Sequence, residues 1–438
     1  MTQVTVIGAG LAGCECAWQL ARRGVPVRLV EMKPKKMTPA HVSPSFAELV
    51  CSNSLRSDEL TNAVGLLKEE LRRLHALILE SADRNRVAAG GALAVDREGF
   101  AGYITEKIRS HPLIEVVEEE ATDIPDGIVV LATGPLTSDA MAARIQRLCP
   151  EFDLHFYDAV APIVTLESVD MDSAYFASRY DKGTADYVNC PMTREEYTDF
   201  VRELRAAQEA PVHGFDDGGV FEGCMPVEVM ARRGEDTLRY GPLKPVGLRD
   251  PRTGQESYAV VQLRRDNAEG TLYNLVGFQT HLTWGEQKRV FSKIPALKNA
   301  EFVRYGVMHR NTYLNSPKLL DRYYRLKAEP RIRFAGQMTG VEGYVESCAS
   351  GALVGIETAA EVLGLPPVDF PQETAIGALG LYVSGGSVGD FQPMNINFGI
   401  IAALDHRVRG KRNKNAEISA RALRILEALQ AEKEVLHE

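Results

Sequence analysis

Hydrophobic and polar positions near the start of the chain follow two different periods. The apolar run VTVIGAG (4–10) predicts a short buried strand that leads into a glycine turn. LAGCECAWQLARRG (11–24) follows with the period of a helix, and Gly24 is placed to act as its C-cap. VPVRLVEM (25–32) is apolar again. The pattern therefore predicts a strand, helix, strand unit.

The same two periods continue along the chain, with one interruption. GLLKEELRRLHALILESA (65–82) predicts an amphipathic helix, and GIVVLATGP (127–135) predicts a buried strand. From 156 to 303 the pattern changes to β-like runs between Gly/Pro turns, with one helix at TREEYTDFVRELRAAQ. A strand (331–337) and a helix (348–364) then return. We therefore expect an α/β domain in two parts with an α+β insertion, with the limits 1–155, 156–303 and 304–438.

Composition bounds the class of protein. With 438 residues, 45% of them hydrophobic and 25% charged, the chain is expected to form two or three soluble domains. A strand-like start and the lack of a long apolar run predict a cytoplasmic protein that does not enter a membrane. Seven cysteines without CxxC or zinc spacing predict neither a metal site nor a disulfide framework. The net charge of −9 leaves room only for local phosphate contacts, such as the basic run DHRVRGKRNKN (405–415).

The glycine turn carries a nucleotide-binding pattern, because GAGLAG fits G-x-G-x-x-G between a strand and a helix. Gly8 permits the tight turn, Gly10 lets the backbone approach a pyrophosphate, and Gly13 lets helix and strand pack. Glu31 follows 18 residues after Gly13, at the end of the second strand, where it would bind ribose hydroxyls. The predicted cofactor contacts of this motif are Gly8, Ala9, Gly10, Leu11, Ala12, Gly13 and Glu31.

A second glycine-rich stretch, RFAGQMTGVEGYVESCASGALVG (333–355), favours FAD over NAD as the bound dinucleotide. Its strand, glycines and following helix can direct amides at a flavin, and LATGP (131–135) completes the pattern. Without a second G-x-G-x-x-G, NADPH or NADH would reach the flavin only transiently. We therefore predict a Rossmann-type FAD-binding domain of the glutathione-reductase-like kind. The further cofactor contacts predicted are Thr133, Gly134, Gly336, Gln337, Gly343 and Tyr344.

One cysteine lies in an unusual setting, within GVFEGCMPVE (219–228). Glycine frees this backbone and proline fixes it, so Cys224 can be presented at a surface as a candidate nucleophile. Free cysteines are more often small buried hydrophobes. We expect that role for Cys14, Cys16, Cys149, Cys190 and Cys348.

Besides the first glycine motif, five stretches carry a resemblance to a known family: FAELVCSNSLRSDEL (46–60), FEGCMPVEVMARRG (221–234), YGVMHRNTYLNSP (305–317), GQMTGVEGYVESCASG (336–351) and FQPMNINFGI (391–400). Together these motifs resemble the folate-dependent, FAD-containing tRNA (uracil-5-)-methyltransferases, the TrmFO family. The resemblance implies transfer of a carbon from 5,10-methylenetetrahydrofolate to C5 of the T-loop uridine at position 54, to form ribothymidine. FAD would be the intermediary and NAD(P)H the reductant.

The resemblance also implies residue roles. Cys224 would add to uracil C6 and make C5 nucleophilic. Cys51 would lie beside the flavin, where it either holds the transferred carbon or removes the C5 proton; which cysteine performs which step stays open. His309 is predicted to stack on the folate pterin, with Trp284 as a weaker rival. Asn53, in the motif of Cys51, is predicted to contact the cofactor.

The T-arm of tRNA is the predicted macromolecular partner, held through phosphates, and no obligate protein partner is predicted. Two other functions fit the same flavin motifs. One is the related GidA-like flavoprotein that modifies wobble uridine with a GTPase partner, although that family carries a long helical C-terminal domain. The other is a non-catalytic, FAD-stabilised RNA-binding protein. The phosphate-contact candidates are Arg232, Arg233, Arg239, Arg264, Arg265, Arg407, Arg409, Lys411 and Arg412.

Overall fold

The computed structural model describes residues 2–38, 40–149, 154–159, 161–181, 184–210, 225–306, 308–386, 391 and 393–437. Between 154 and 159, between 308 and 312, and at 386, the backbone alone is described. Cys224 lies outside the described residues, and the side chain of His309 does as well.

Strands and helices alternate in the first and last parts of the chain. The strands are β1 (Val4–Ile7), β2 (Val27–Glu31), β3 (Ser54–Ser57), β4 (Arg86–Val87), β5 (Ala92–Val95), β6 (Ile114–Glu118), β7 (Val129–Leu131), β8 (Leu154–Ala159), β9 (Ile163–Thr165), β10 (Tyr175–Ala177), β11 (Tyr187–Met192), β12 (Ala259–Arg265), β13 (Leu272–Leu275), β14 (Phe302–Arg304), β15 (Met308–Tyr313) and β16 (Ile332–Phe334). The helices are α1 (Leu11–Ala21), α2 (Ala63–Arg73), α3 (Leu77–Arg84), α4 (Arg97–Ser110), α5 (Asp139–Leu148), α6 (Arg194–Ala206), α7 (Val227–Arg233), α8 (Thr237–Tyr240), α9 (Trp284–Phe291), α10 (Ser316–Leu319), α11 (Tyr344–Leu363), α12 (Ala375–Leu381) and α13 (Lys411–Glu432).

A parallel sheet in the order β16-β7-β1-β2-β6 forms the centre of the first domain. Val6 of β1 pairs with Leu29 of β2 on one side and with Val130 of β7 on the other. All three side chains are fully buried, as expected for a parallel sheet that is covered on both faces. The predicted strand, helix, strand unit is confirmed as β1, α1 and β2. The α/β fold class is confirmed with it.

Helices α1 and α11 pack against each other through backbone. A Cβ atom added at Gly351 would lie 2.2 Å from the carbonyl oxygen of Ala12, and one at Gly355 would lie 2.8 Å from that of Cys16. Glycine at both positions is therefore what allows the two helices to approach so closely. This contact joins the first and the last third of the chain beside the end of β1.

The chain from β9 to β14 forms a second, antiparallel sheet in the order β10-β11-β12-β13-β9-β14. Helix α6 covers it, and its N-terminus carries a capping box between Thr193 and Glu196. Phe200 of this helix is fully buried in a core separate from that of the first domain. An antiparallel ribbon of β8 and β15 connects the two sheets. The predicted domain limits at 156 and 303 fall inside strands β8 and β14.

The helix predicted over 65–82 is two helices, α2 and α3. The break lies at His75, whose φ of +55° is left-handed, and the indole N–H of Trp18 donates to the His75 carbonyl oxygen at 3.1 Å. A tertiary contact therefore divides a segment whose local pattern is continuous. In the part of the chain that the structure describes, every helix is too short or too polar to cross a bilayer.

Candidate cofactor and substrate site

An open cleft lies at the carboxyl ends of β1, β2 and β7, beside the N-terminus of α1. It contains about 1110 Å³ of empty space, counted to its open mouth. Both parts of the first domain supply its walls. Of the residues predicted to bind a cofactor, those that line the cleft are Gly8, Ala9, Gly10, Leu11, Ala12, Glu31, Thr133, Gly134, Gly336, Gln337 and Tyr344.

The glycine turn shapes one end of this cleft. Gly8 has a φ of +102°, and a Cβ atom there would lie 2.5 Å from the carbonyl oxygen of Ala132. Gly10 is the N-cap of α1, and a Cβ atom there would have no atom within 4 Å. The space in front of Gly10 is therefore open, and the unpaired N–H groups at the start of α1 face an anion that approaches there.

Glu31 ends β2 and is buried at the cleft wall. Its Oε2 accepts a hydrogen bond from the Ala9 N–H at 2.7 Å, and its Oε1 accepts one from the Lys33 N–H at 2.9 Å. These bonds fix the carboxylate beside the glycine turn. The arrangement presents an acceptor at the place where a dinucleotide carries its ribose hydroxyls.

The second glycine stretch forms the opposite wall. Gly336 has a φ of +88°, and its N–H donates to Ser350 Oγ at 2.7 Å. The side-chain amide of Gln337 donates to Glu342 Oε2 at 2.9 Å. Gly343 does not line the cleft, although it was predicted to contact the cofactor. It is the N-cap of helix α11, with a φ of +112°, and the first residue of that helix, Tyr344, does line the cleft.

Cys51 lies next to this wall, one residue after Val50, which lines the cleft. Cys51 is half-buried, and its N–H donates to the Tyr344 hydroxyl at 2.8 Å. The N–H of Ser52 approaches the same oxygen at 3.3 Å. Burial, with the Cys51 sulfur nearby, raises the pKa of Tyr344 above its ordinary value, so this hydroxyl stays protonated. One side chain of α11 thus holds the cysteine segment against the cleft.

Asn53 does not reach the cleft, in contrast to its predicted role. It is 0% exposed, and its side-chain amide donates to the carbonyl oxygens of Val95 and Arg265, at 2.9 Å each. Its Oδ1 accepts from Arg264 Nε at 3.2 Å. Asn53 therefore joins the first domain to the insertion. Arg264 is only 8% exposed, and its guanidinium binds other residues of the protein. The prediction that Arg264 contacts a tRNA phosphate is therefore wrong.

The other predicted cations lie on different elements. Arg232 pairs with Glu209, and Arg239 lies 3.6 Å from the centre of the Tyr258 ring. Arg233 is exposed, and Arg265 is half-buried. The basic run is exposed and ends in the first turn of α13. Its exposed predicted residues are Arg407, Arg409, Lys411 and Arg412.

The cysteines expected to be inert are confirmed as buried: Cys14, Cys16, Cys149, Cys190 and Cys348. Burial raises the pKa of Cys16 and of Cys190 to about 12. His309 lies on β15 opposite Asp158, and its stacking stays a prediction. Trp284 is exposed and stacks on Tyr305, with ring centres 5.6 Å apart.

Sequence reasoning missed part of the cleft. Lys33 and His41, in the segment after β2, line it, as does Ser347 on α11. Lys33 is buried, and its Nζ donates to the Ser45 carbonyl oxygen. Ser347 lies within the second glycine stretch, and Lys33 and His41 lie two and ten residues after Glu31; nothing else in the local sequence indicates their position.

The residues of the cleft fit FAD. Gly10 leaves room where a Cβ atom would obstruct a pyrophosphate, Glu31 offers an acceptor, and the Gly336 wall extends the cleft beyond the first nucleotide site. Fold and cleft thus define a two-part, Rossmann-type dinucleotide-binding protein of the flavoprotein class.

The chain is similar to named proteins over nearly its whole length. Residues 3–366 match the family model "Glucose inhibited division protein A". A protein of Desulfitobacterium hafniense named methylenetetrahydrofolate–tRNA-(uracil-5-)-methyltransferase TrmFO is 60% identical over 98% of this chain and 99% of its own. The Acetivibrio thermocellus protein of the same name is 61% identical, over 97% of each chain. The chain belongs to this methyltransferase family, and the resemblance seen in its motifs is confirmed.

A solved structure supports the fold alone. GidA of Aquifex aeolicus superposes on all of this chain and on 76% of its own, with a TM-score of 0.70 at 15% sequence identity. The predicted Rossmann-type fold with an insertion is confirmed by this match.

Proposed function

We propose that the protein transfers the methylene carbon of 5,10-methylenetetrahydrofolate to C5 of the uridine at position 54 in the T loop of tRNA, where it becomes the methyl group of ribothymidine. The observation that carries this proposal is identity of about 60% over nearly the full length to proteins named for this reaction. A cleft that fits FAD, with Cys51 beside it, supplies the matching site.

When bound, FAD would supply the two electrons that reduce the transferred carbon to methyl, and NADPH or NADH would restore them. The amides at the start of α1 and the open backbone at Gly10 would hold its pyrophosphate. Glu31 would accept hydrogen bonds from its ribose. Gln337 and Tyr344 lie on the wall of the second glycine stretch, where they would border its ring system.

Cys224 is the proposed nucleophile, and the described residues on either side of it are firmly attached. The N–H of Ala210 donates to the His281 carbonyl oxygen, and that of Val227 donates to the Gln279 carbonyl oxygen, at 2.8 Å each. Ala210 and Val227, which are described, are therefore both held to the same short stretch of the insertion, 279–281. Glu228, on α7, also binds this stretch, because its Oε1 accepts a hydrogen bond from the His281 N–H at 2.8 Å.

The chemistry requires a nucleophile and a base. The Cys224 thiolate would form a bond to C6, and the C5=C6 electron pair becomes available at C5. C5 then bonds to the folate-derived carbon as one of the bonds between that carbon and nitrogen breaks and its electron pair passes to the nitrogen. Cys51 then removes the C5 proton. The electron pair left on C5 restores the C5=C6 bond as the bond between sulfur and C6 breaks. The net change at C5 is replacement of hydrogen by a one-carbon unit. The remaining bond between that carbon and nitrogen is replaced by a bond to hydrogen, with the two electrons that bound FAD would supply.

Binding of tRNA is assigned to exposed cations. Lys411 and Arg412 begin α13, with Arg407 and Arg409 just before it, and Arg233 ends α7. Such contacts position a nucleic acid through its phosphates, and the target base must leave the loop to reach the cleft. His309 is proposed to stack on the folate, and a cytoplasmic location remains the prediction from sequence.

The test uses the purified holoenzyme with a tRNA transcript and NADPH. We expect carbon-14 from labelled methylenetetrahydrofolate to enter the RNA, and none from labelled S-adenosylmethionine. Cys224→Ala should abolish turnover but keep affinity for tRNA. Label from S-adenosylmethionine would overturn the mechanism, and full turnover by Cys224→Ala would overturn the assignment of the nucleophile.

The same assay separates the other two functions. Transcripts with U54→C should lose all label, whereas transcripts altered at the wobble uridine should keep it. The reverse result would favour modification of the wobble uridine. A protein that binds tRNA but incorporates no label from either donor would be the non-catalytic binder.

A further inference from the structure

Three arginines hold the short segment that carries Cys51. Arg97 donates to the carbonyl oxygens of Leu49 and Cys51, the latter at 3.2 Å. Arg304 donates to the carbonyl oxygen between them, that of Val50, at 2.7 Å. Three successive carbonyl groups thus each accept a hydrogen bond from a guanidinium, which fixes the backbone on both sides of the cysteine.

The third arginine holds the residues that follow. Arg264 donates to Ser52 Oγ at 2.6 Å and to Asn53 Oδ1 at 3.2 Å. Arg97 belongs to α4 of the first domain, whereas Arg264 and Arg304 belong to β12 and β14 of the insertion. The insertion therefore supplies two of the three cations that surround the Cys51 segment.

Two carboxylates, those of Asp266 and Glu48, face these three guanidinium groups among the described residues, so their positive charge is only partly neutralised. Asp266 pairs with Arg97, with Oδ2 at 2.9 Å from Nε, and is 3% exposed. Burial alone would lower the pKa of Arg97, but Asp266 and, more weakly, a thiolate at Cys51 raise it. An attraction between two charges is reciprocal, so the same guanidinium stabilises an anionic sulfur at Cys51.

We propose that Arg97, Arg264 and Arg304 are positioning residues for Cys51: they fix its backbone beside the cleft and favour its thiolate. The inference deepens the proposed function, because a cysteine that removes the C5 proton must first be ionised. It also means that the reactive form of Cys51 depends on the insertion remaining docked against the first domain.

The test measures how pH controls alkylation of Cys51 by iodoacetamide in the holoenzyme, read by mass spectrometry of its peptide. Arg304→Gln is the first variant, since Arg304 is only half-buried and makes a single contact to the segment. We expect the alkylation midpoint to rise by about one pH unit. Arg304→Lys, which keeps the charge, should stay close to the wild-type protein.

Two further variants test the direction of the shift in the alkylation midpoint and provide a control that should show no shift. Asp266→Asn removes the negative charge that faces Arg97, so its midpoint should fall. Arg289→Gln removes an exposed arginine of α9 that pairs with Glu286 and Glu203, and its midpoint should not move. Flavin absorbance and melting temperature verify that each variant is folded, and Asp266→Asn keeps the test open if Arg304→Gln does not fold.

A purely structural role would give a different pattern. Identical midpoints in all variants, or shifts in the same direction for Arg304→Gln and Asp266→Asn, would overturn the proposal. The proposed function fails separately: if Cys51→Ala methylates tRNA at the wild-type rate, Cys51 is not the base, whatever its alkylation midpoint shows.

Discussion

Gly13 contacts Gly8 so closely that a Cβ atom at Gly13 would lie 1.8 Å from the Gly8 carbonyl oxygen. Helix α1 and the turn before it are thus in backbone contact. Gly10, between them in sequence, faces open space. Close backbone packing therefore requires glycine at positions 8 and 13, whereas at Gly10 only the open cleft favours glycine.

Gly13→Ala and Gly10→Ala should consequently separate stability from cofactor binding. Gly13→Ala should destabilise the apoprotein by roughly 3 kcal/mol, because backbone must move to admit the methyl group. Gly10→Ala should cost the apoprotein less than about 1 kcal/mol but weaken FAD about tenfold or more, which is about 1.4 kcal/mol. Denaturant melts of the apoproteins and fluorescence titration with FAD check both. If both variants lost the same amount of FAD affinity and neither lost stability, the assignment of Gly13 to packing and of Gly10 to cofactor binding would be wrong.

Cations in the first turn of α13 should lower stability and favour tRNA binding. Lys411, Arg412 and Lys414 oppose the helix dipole at a terminus where the first turn carries no acidic residue. Changing all three to Gln should leave the melting temperature equal or higher, because each cation costs about 0.3–1 kcal/mol there. The affinity for tRNA should fall, and the slope of log K against log salt should flatten by roughly 0.7–0.9 for each phosphate that the variant no longer neutralises.

Arg424→Gln, on the exposed face of the same helix, is the control for the basic turn. It should change neither the salt dependence nor the affinity. A lower melting temperature in the triple variant, with unchanged tRNA binding, would show instead that these residues serve the fold.

Glu70 gives stability a definite dependence on pH. Burial raises its pKa to about 7, although it accepts hydrogen bonds from the N–H groups of Ala375 and Ile376 at 2.8 and 2.9 Å. The folded protein thus holds a proton that the unfolded chain releases between about pH 4.5 and 7, so stability falls as pH rises through this window. Glu15 and Glu357, whose pKa values burial also raises to about 7, act in the same direction.

Glu70→Gln should remove part of that dependence. The fall in melting temperature between pH 5.5 and 8 should be smaller than in the wild-type protein, by an amount that corresponds to about 1–3 kcal/mol. Scanning fluorimetry across this range measures it. An unchanged slope would mean that Glu70 is ionised at low pH in the folded protein.

Asn53→Ala tests the corrected role of Asn53. Removal of its amide deletes its hydrogen bonds to two carbonyl oxygens and the bond that it accepts from Arg264 Nε, so stability should fall by about 2–4 kcal/mol. FAD affinity should be retained, since Asn53 is not on the cleft wall, whereas Glu31→Ala should lose affinity. Weaker FAD binding at unchanged stability in Asn53→Ala would restore the original prediction that it contacts the cofactor.

Much of the cleft could be predicted because its chemistry is local. The roles of Gly8, Gly10 and Glu31 depend on turn geometry and on where a strand ends, and a few adjacent residues in the sequence determine both. Asn53 could not be placed in this way, since its partner Arg264 lies 211 residues later and nothing near Asn53 indicates it. The break at His75 was hidden for the same reason, because the partner of its carbonyl oxygen, Trp18, lies 57 residues earlier.

The order of strands in the central sheet also constrains how the protein can mature on the ribosome. Strand β16 lies at one edge of the sheet and pairs with β7. The residues that follow it, Gly336 and Gln337, form one wall of the cleft. The insertion is complete after β14 and has its own core, so nascent chain can fold it while the nucleotide domain still lacks an edge strand. FAD can therefore bind only late in synthesis, when the insertion is already folded and β16 has completed the nucleotide domain.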